Sequence, residues 1–514
     1  MNGNFYHRLD EAMAAAADKL ALVHPDGTGL RYDALREQAR ALAGALEAAG
    51  VRSGDRVLVQ VDKSMTCVAT YLAVLRLGAV YVPLNTAYTD VEVDYFVRDA
   101  APALFLHEAS RELEGALLAT LAEVECRALP LGRLPEDAPG EAGMDGTLVS
   151  ARVALDTPPA SLADDALAAI VYTSGTTGRS KGAMLSHRNI ESNARTLNEL
   201  WGWRADDVLL HALPIFHVHG LFVALHCALL GGSIIRFLPR FDAATVCAQL
   251  TDSTVLMGVP TFYTRLLDLP QFDRAAVATM RLFISGSAPL TEITFAEFEA
   301  RTGQRILERY GMSETLMITS NPLEGARIAG TVGPALPGVE TRIAGDDGQP
   351  LPAGEVGTIE VRGPNVFSGY WRNPEKTRAE FREGGFFITG DLATADDTGR
   401  IAIVGRSKDL VISGGYNVYP KEVERLLDAL PGIAESAVIG VPHRDFGEAV
   451  VAVVVTASGA APPDLATLRA ALADQLASYK QPKAVEVLTE LPRNAMGKVQ
   501  KNLLRAQFEG LFAT

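Results

Sequence analysis

At 514 residues the chain is too long for one ordinary domain, so at least two are expected. Hydrophobic content of 48% with 21% charged residues is globular composition with ample cores, which excludes a disordered chain. A formal net charge of −15 argues against a nucleic-acid partner, which would favour a basic face.

The start, Met1-Asn2-Gly3-Asn4-Phe5, has no basic segment leading into an apolar one, so no secretory signal is expected. Leu30 to Val51 predicts an amphipathic helix with Leu35, Ala39, Leu42 and Leu46 on one face. Arg56 to Val61 predicts a strand, Ser64 to Gly78 a helix, and Ala79 to Leu84 another strand. That rhythm predicts a parallel, doubly wound sheet. The apolar run Val68 to Val82 is broken by Arg76 and is too short to span a bilayer, so no membrane partner is expected. Cys67, Cys126, Cys227 and Cys247 lack CxxC spacing, which fits a reducing compartment and a cytoplasmic protein. Met144 to Asp156 reads as a surface connection.

An apolar run, Leu167 to Val171, then leads into Tyr172-Thr173-Ser174-Gly175-Thr176-Thr177-Gly178-Arg179-Ser180-Lys181-Gly182, and a helix opens near His187. Glycines let backbone N–H groups approach, hydroxyls donate hydrogen bonds and Lys181 balances charge, which is phosphate-cradle chemistry. The order Ser180-Lys181-Gly182 departs from a P-loop, which needs Gly-Lys-Ser/Thr. A plain flexible turn is the competing assignment for this loop in isolation.

Strands are predicted at Asp207–Pro214, Gly232–Phe237, Thr254–Val259 and Arg281–Ser285, with helices between most of them, giving a second α/β lobe. His217-Val218-His219, with His211 and His226 nearby, invites zinc. No carboxylate or cysteine ligand set accompanies it, and a hydrogen-bonded core cluster is the simpler assignment. After the turn Ser285-Gly286-Ser287-Ala288-Pro289 comes Glu308-Arg309-Tyr310-Gly311-Met312-Ser313-Glu314-Thr315. A tyrosine beside glycine can stack on a purine, and a glutamate can bind a hard cation. From Gly330 to Ile403 short strands punctuated by Gly and Pro predict a small β-barrel-like piece. Asp391 stands where a carboxylate could bridge ribose hydroxyls, and Arg406 is a second ribose or phosphate candidate. A turn aspartate and a surface ion pair are the plainer alternatives. Beyond Gly405 a helix at Lys421–Leu430, strands at Ser436–Gly440 and Val450–Val455, and a helix at Leu465–Leu476 predict a short α+β domain. Lys498 follows a proline turn in Leu491-Pro492-Arg493-Asn494-Ala495-Met496-Gly497-Lys498-Val499.

Together and in this order the segments resemble the adenylate-forming superfamily of acyl-CoA synthetases, luciferases and peptide-synthetase adenylation domains. The resemblance runs from about Asn4 to the C-terminus. It implies an α/β fold: a large N-terminal domain, residues 1–404, of doubly wound lobes with the β-barrel-like subdomain. A small mobile C-terminal domain, 405–514, would follow a hinge near Lys408. It further implies catalytic roles for Lys498, Thr173, Glu314 and His217, with Glu314 as the Mg2+ ligand. ATP and coenzyme A would be held by Thr173, Ser174, Gly175, Thr176, Thr177, Gly178, Lys181, Ser287, Ala288, Glu308, Arg309, Tyr310, Gly311, Met312, Ser313, Asp391, Arg406, Gly414 and Gly415. Ser313 stands where the family usually has threonine, so the hydroxyl is kept.

Around the acyl pocket the sequence looks most like malonyl-CoA and methylmalonyl-CoA synthetases. A short dicarboxylate must have its second carboxylate held without water, for which an arginine fork is the expected anchor. Arg236, Arg265 and Arg281 are the candidates, unranked, with His217, Val218 and Met317 lining the pocket. Ligation of another short aliphatic or aryl acid, and a non-catalytic nucleotide-binding module, are the rival functions. A monomer or small homo-oligomer is expected.

Overall fold

The computed structural model describes residues 2–132, 158–173, 180–494 and 497–512. The connection expected at Met144 to Asp156 lies outside the described residues.

Two sheets form the body of the large unit. One has six strands, in the order Arg127–Leu131, Leu104–Glu108, Arg56–Gln60, Val80–Pro83, Leu167–Thr173, Lys181–Ser186. All neighbours are parallel except the last pair, an antiparallel hairpin. The other has eight strands, in the order Leu316–Ser320, Leu307–Met312, Leu282–Ser285, Val255–Gly258, Val208–His211, Ile234–Phe237, Leu20–Val23, Gly29–Arg31. Its centre is parallel and both edge pairs are antiparallel.

The helix Met65–Leu77 shows why the two sheets share one core. It is buried at every position from Met65 to Arg76, so it has no polar face to offer water and must be packed on all sides. Ser64 caps it by accepting from the Cys67 N–H, and Gly78 ends it. Its one cation, Arg76, stays 6% exposed and lies over the Tyr6 ring. One apolar cluster contains Val57, Leu72, Leu209 and Ile284, drawn from both sheets and this helix. Among the described residues no helix is long and apolar enough to cross a membrane.

The Gly- and Pro-punctuated stretch folds as a four-stranded antiparallel sheet of Glu340–Ala344, Gly357–Arg362, Phe387–Ala395 and Ile401–Arg406. A short turn, Ser407–Asp409, leaves its last strand. Beyond it lies a five-stranded sheet centred on Gly447–Thr456, flanked by the helices Pro420–Asp428, Leu465–Leu472 and Lys501–Phe508. Its cores, around Val438 and around Ile439, are separate from the main cluster.

Candidate active site

The tightest local geometry lies in the hairpin of Leu307–Met312 and Leu316–Ser320. Its register shifts between Tyr310 and Gly311, a β-bulge. A Cβ on Gly311 would collide with the Leu316 carbonyl oxygen, so this position needs glycine. Leu316 itself has φ 54°, a conformation a branched side chain rarely adopts. This strained turn carries Glu314 at its tip, 6% exposed.

Glu314 is met from two sides. The Thr173 hydroxyl, at the end of its strand, donates at 3.5 Å, and the Tyr370 hydroxyl donates at 3.1 Å. Tyr370 is delivered by a segment that zips onto the strand Lys181–Ser186, through Trp371 N–H to Gly182 O at 2.8 Å and Met184 N–H to Gly369 O at 3.0 Å. Tyr370 also lies 2.6 Å from Glu380, which pairs with Lys376 at 2.5 Å and lies 3.9 Å from Lys181. Burial raises the Glu314 pKa, and burial with the nearby Lys376 charge lowers that of Lys181. Tyr370, Lys376 and Glu380 escaped the sequence analysis; the one local signal was an aromatic beside Gly369. Ser174, Gly175, Thr176, Thr177 and Gly178 lie outside the described residues.

A second cluster joins three residues far apart in the chain. The Tyr310 hydroxyl donates to Asp391 at 2.6 Å, and Arg406 Nε pairs with the other oxygen of Asp391 at 2.9 Å. Asp391 and Arg406 face one another across adjacent antiparallel strands, which fixes their pairing. Burial opposes the Arg406 charge, but the Asp391 carboxylate beside it outweighs that and raises the pKa. The outcome is a fixed carboxylate and guanidinium beside an aromatic edge.

Lys498 approaches this cluster from the C-terminal unit. Its loop closes through Asn494 N–H to Lys498 O at 3.0 Å and Gly497 N–H to Asn494 O at 2.8 Å. Burial, then the positive field of Arg406, lowers its pKa to about 8. Lys498, Arg406, Asp391, Tyr310, Arg309, Glu308, Ser287 and Ala288 line one cavity of about 1090 Å3, whose far wall includes Lys421 and Arg493. The cavity thus lies between the large unit and the C-terminal unit.

The expected substrate arginines divide. Arg281 is tied to Asp207 at 2.7 and 2.5 Å and to the Trp201 and Gly202 carbonyls, at the N-terminal end of its strand. Arg236 is held by Gln249 at 2.6 Å and Asp252 at 3.4 Å. Both forks are consumed elsewhere, which corrects their assignment to the pocket. Arg265 lines the cavity from an exposed position. Val218 and Met317 are packed in the main apolar cluster and are not among the cavity's lining residues. His217 is half-buried against Phe216 and kept neutral by burial, which lowers its pKa to about 4; it too is absent from the cavity wall.

The histidines are core hydrogen-bonding groups. His226 Nε2 meets the Tyr71 hydroxyl at 2.9 Å, His211 bonds Lys63 at 2.8 Å and the Gly220 carbonyl at 2.9 Å, and His219 meets Ser287 at 3.2 Å. Lys63 was another residue without a sequence signal. Among the described residues no group of three or more His, Cys, Asp or Glu side chains is placed to hold a metal. Glu314 with the Thr173 hydroxyl nevertheless suits Mg2+, a hard cation that takes one or two protein oxygens and completes its shell with phosphate oxygens. Gly414 and Gly415 lie exposed at the turn between Val411–Ser413 and Tyr416–Val418 and are not among the cavity's lining residues. Lys408 is exposed in the Ser407–Asp409 turn.

These features agree with what the chain is similar to. The AMP-binding enzyme family matches residues 9–371, and the AMP-binding enzyme C-terminal domain matches 422–498. A malonate–CoA ligase of Arabidopsis thaliana is 37% identical over 90% of this chain and 79% of its own length. The crystal structure of ATP-bound MatB from Rhodopseudomonas palustris is 50% identical over 100% of both chains, with TM-score 0.94. The apo form of MatB, 49% identical over the same span, gives 0.82. The chain belongs to the AMP-binding enzyme family.

Proposed function

We propose that this protein is an AMP-forming acyl-CoA ligase that activates malonate, with methylmalonate as the related acid. The carrying observation is the cavity between the two units, with Lys498 on one side and the Tyr310–Asp391–Arg406 cluster on the other. Similarity over the whole chain to MatB, and to a malonate–CoA ligase, supports the choice of acid.

In the first half-step a carboxylate oxygen attacks the α-phosphorus of ATP and the bond to pyrophosphate breaks. Tyr310 offers a ring to the adenine while Asp391 and Arg406 face the ribose. Thr173 and Lys181 face the phosphates, and Ser174, Gly175, Thr176, Thr177 and Gly178 are assigned to ATP from the sequence alone. Ser287, Ala288 and Gly311 line this site, and Met312 and Ser313 are assigned beside them from the sequence. Glu314 would hold Mg2+, which when bound supplies positive charge against the phosphates. Lys498 places its ammonium where anionic oxygens converge, a pre-set charge that needs no reorganisation during attack. In the second half-step the coenzyme A thiolate attacks the acyl carbon and AMP leaves.

The division into 1–404 and 405–514, with a turn about Lys408, explains how one site serves both steps. Rotation would withdraw Lys498 and bring Gly414-Gly415, whose lack of side chains admits the pantetheine arm. The gap in TM-score between the ATP-bound and apo forms of MatB, at nearly the same identity, is consistent with that movement. A cytoplasmic location and a monomer or small homo-oligomer complete the proposal.

The test is pyrophosphate release with ATP and Mg2+ across acetate, propionate, malonate, methylmalonate and benzoate, followed by thioester formation on adding coenzyme A. Malonate should lead. No turnover at millimolar malonate alongside turnover of another acid would reassign the substrate.

A further inference from the structure

Resting on AMP-forming ligation but not on which acid is activated, we propose that Lys376 is a pyrophosphate-binding residue that works as a pair with Lys181. Both ammoniums converge on one oxygen: Lys376 Nζ lies 2.5 Å and Lys181 Nζ 3.9 Å from Glu380 Oε1. The other oxygen of Glu380 faces the Tyr370 hydroxyl at 2.6 Å, and the Tyr370 ring lies 5.2 Å from Lys181 Nζ. One carboxylate therefore holds two cations. Glu314, the other carboxylate whose field reaches Lys181, is the one proposed for Mg2+. Two ammoniums on a single carboxylate oxygen repel one another, which a ligand with several anionic oxygens relieves.

The fold puts the pair at the phosphate end of the proposed site. Lys181 is the cross-strand partner of Thr173, whose hydroxyl meets Glu314. Lys376 is set by a short helix, Pro374–Ala379, which Asn373 opens by accepting the Lys376 N–H at 3.1 Å. The Thr377 hydroxyl accepts the Tyr370 N–H at 2.9 Å, so Lys376 is fixed together with the tyrosine that reaches Glu314. Glu380 follows Lys376 by four positions, the spacing at which helical side chains meet. The side chains are 13% exposed for Lys181 and 32% for Lys376, so a ligand can reach both. Neither lysine lines the cavity that Tyr310, Asp391, Arg406 and Lys498 share. The sugar and α-phosphate then face one set of charges, and the departing half of ATP another. Breaking the α–β bond leaves its electron pair on the pyrophosphate oxygen, and an ammonium pair matches that gathering charge. Glu380 is the resting partner, which the pyrophosphate moiety displaces.

The experiment titrates inorganic pyrophosphate, and separately AMP, into the full-length natural protein, Lys376→Gln, Lys376→Arg and Glu380→Gln, by calorimetry with Mg2+ in the buffer. Pyrophosphate affinity should fall by on the order of 10-fold in Lys376→Gln, and Lys376→Arg should recover much of it. It should rise several-fold in Glu380→Gln, because the competing charge is gone while the amide oxygen still accepts from Tyr370. AMP carries no phosphate beyond the first, so its affinity should stay the same in all three variants. Equal pyrophosphate affinity in the natural protein and Lys376→Gln would overturn the proposal. So would a parallel loss of AMP and pyrophosphate, which would make Lys376 a support of the fold. Weaker pyrophosphate binding in Glu380→Gln would count against it equally, since the carboxylate would then belong to the bound state. Should Lys376→Gln misfold, Glu380→Gln carries the test through its opposite sign. The ligase reading fails separately, if no acid draws pyrophosphate from ATP, while the titrations still decide the role of Lys376.

Discussion

Lys498 carries a pKa of about 8 because burial and the Arg406 charge both disfavour its ammonium. In the proposed mechanism adenylate formation needs that ammonium, so kcat/KM for the first half-reaction should fall as pH rises through about 8. Bound ATP and acid bring anions that favour the charged form, so kcat should hold to higher pH. A pH–rate profile in which both parameters break together, or neither breaks, would detach the lysine from the chemistry. Glu308 supplies a second titration. Burial raises its pKa from 4.5 to about 7. A carboxyl raised in the folded state binds its proton better there, so stability is lost as pH climbs from about 4.5 to about 7. Glu308→Gln should therefore raise thermal stability above pH 7, by about 2 kcal/mol, and change little near pH 4.5. At this scale the sequence was an uneven guide. Tyr310, Asp391 and Arg406 stood out through their motifs. The arginine forks did not sort themselves, because what occupies Arg281 is Asp207, 74 positions away.

Elements were more legible than residues. Runs of apolar side chains bounded by Gly, Pro or Asp gave strands such as Val80–Pro83, Val255–Gly258 and Leu282–Ser285 within a residue or two of their expected ends. The expected helix from Leu30 begins at Tyr32, since Gly29–Arg31 pairs as an edge strand with Leu20–Val23. That strand in turn pairs with Ile234–Phe237, more than 200 positions distant, and no local pattern announces such a partner. Likewise, His219–Leu225 winds as a π-helix, set by packing rather than periodicity. The hairpin at Glu314 is the element most open to test. Gly311→Ala should push the two strands apart at the bulge, costing about 2 kcal/mol and lowering the thermal midpoint by about 2 degrees. Because Glu314 depends on that turn, Mg2+-dependent pyrophosphate release should fall as well. Lost stability with full activity would show that the turn tolerates widening without moving the carboxylate.

For the whole molecule, the proposed division of labour between the two units makes one demand. Lys498→Ala should abolish adenylate formation from malonate and ATP, by roughly 100-fold or more, while thioester formation from supplied malonyl-adenylate is largely kept. Quenched-flow assays of each half-reaction separate them, and equal loss in both would assign the lysine to structure.

The strand Ile401–Arg406 has a consequence for timing. Arg406, which braces Asp391, stands two positions before Lys408, with only the start of the Ser407–Asp409 turn between. If the tail turns there as proposed, torque at that turn acts next to the guanidinium proposed to face the ribose. In the proposed cycle latch and axle would be geared together: the swing that admits the thiol would also disturb the grip on the sugar, readying AMP to leave once the thioester has formed.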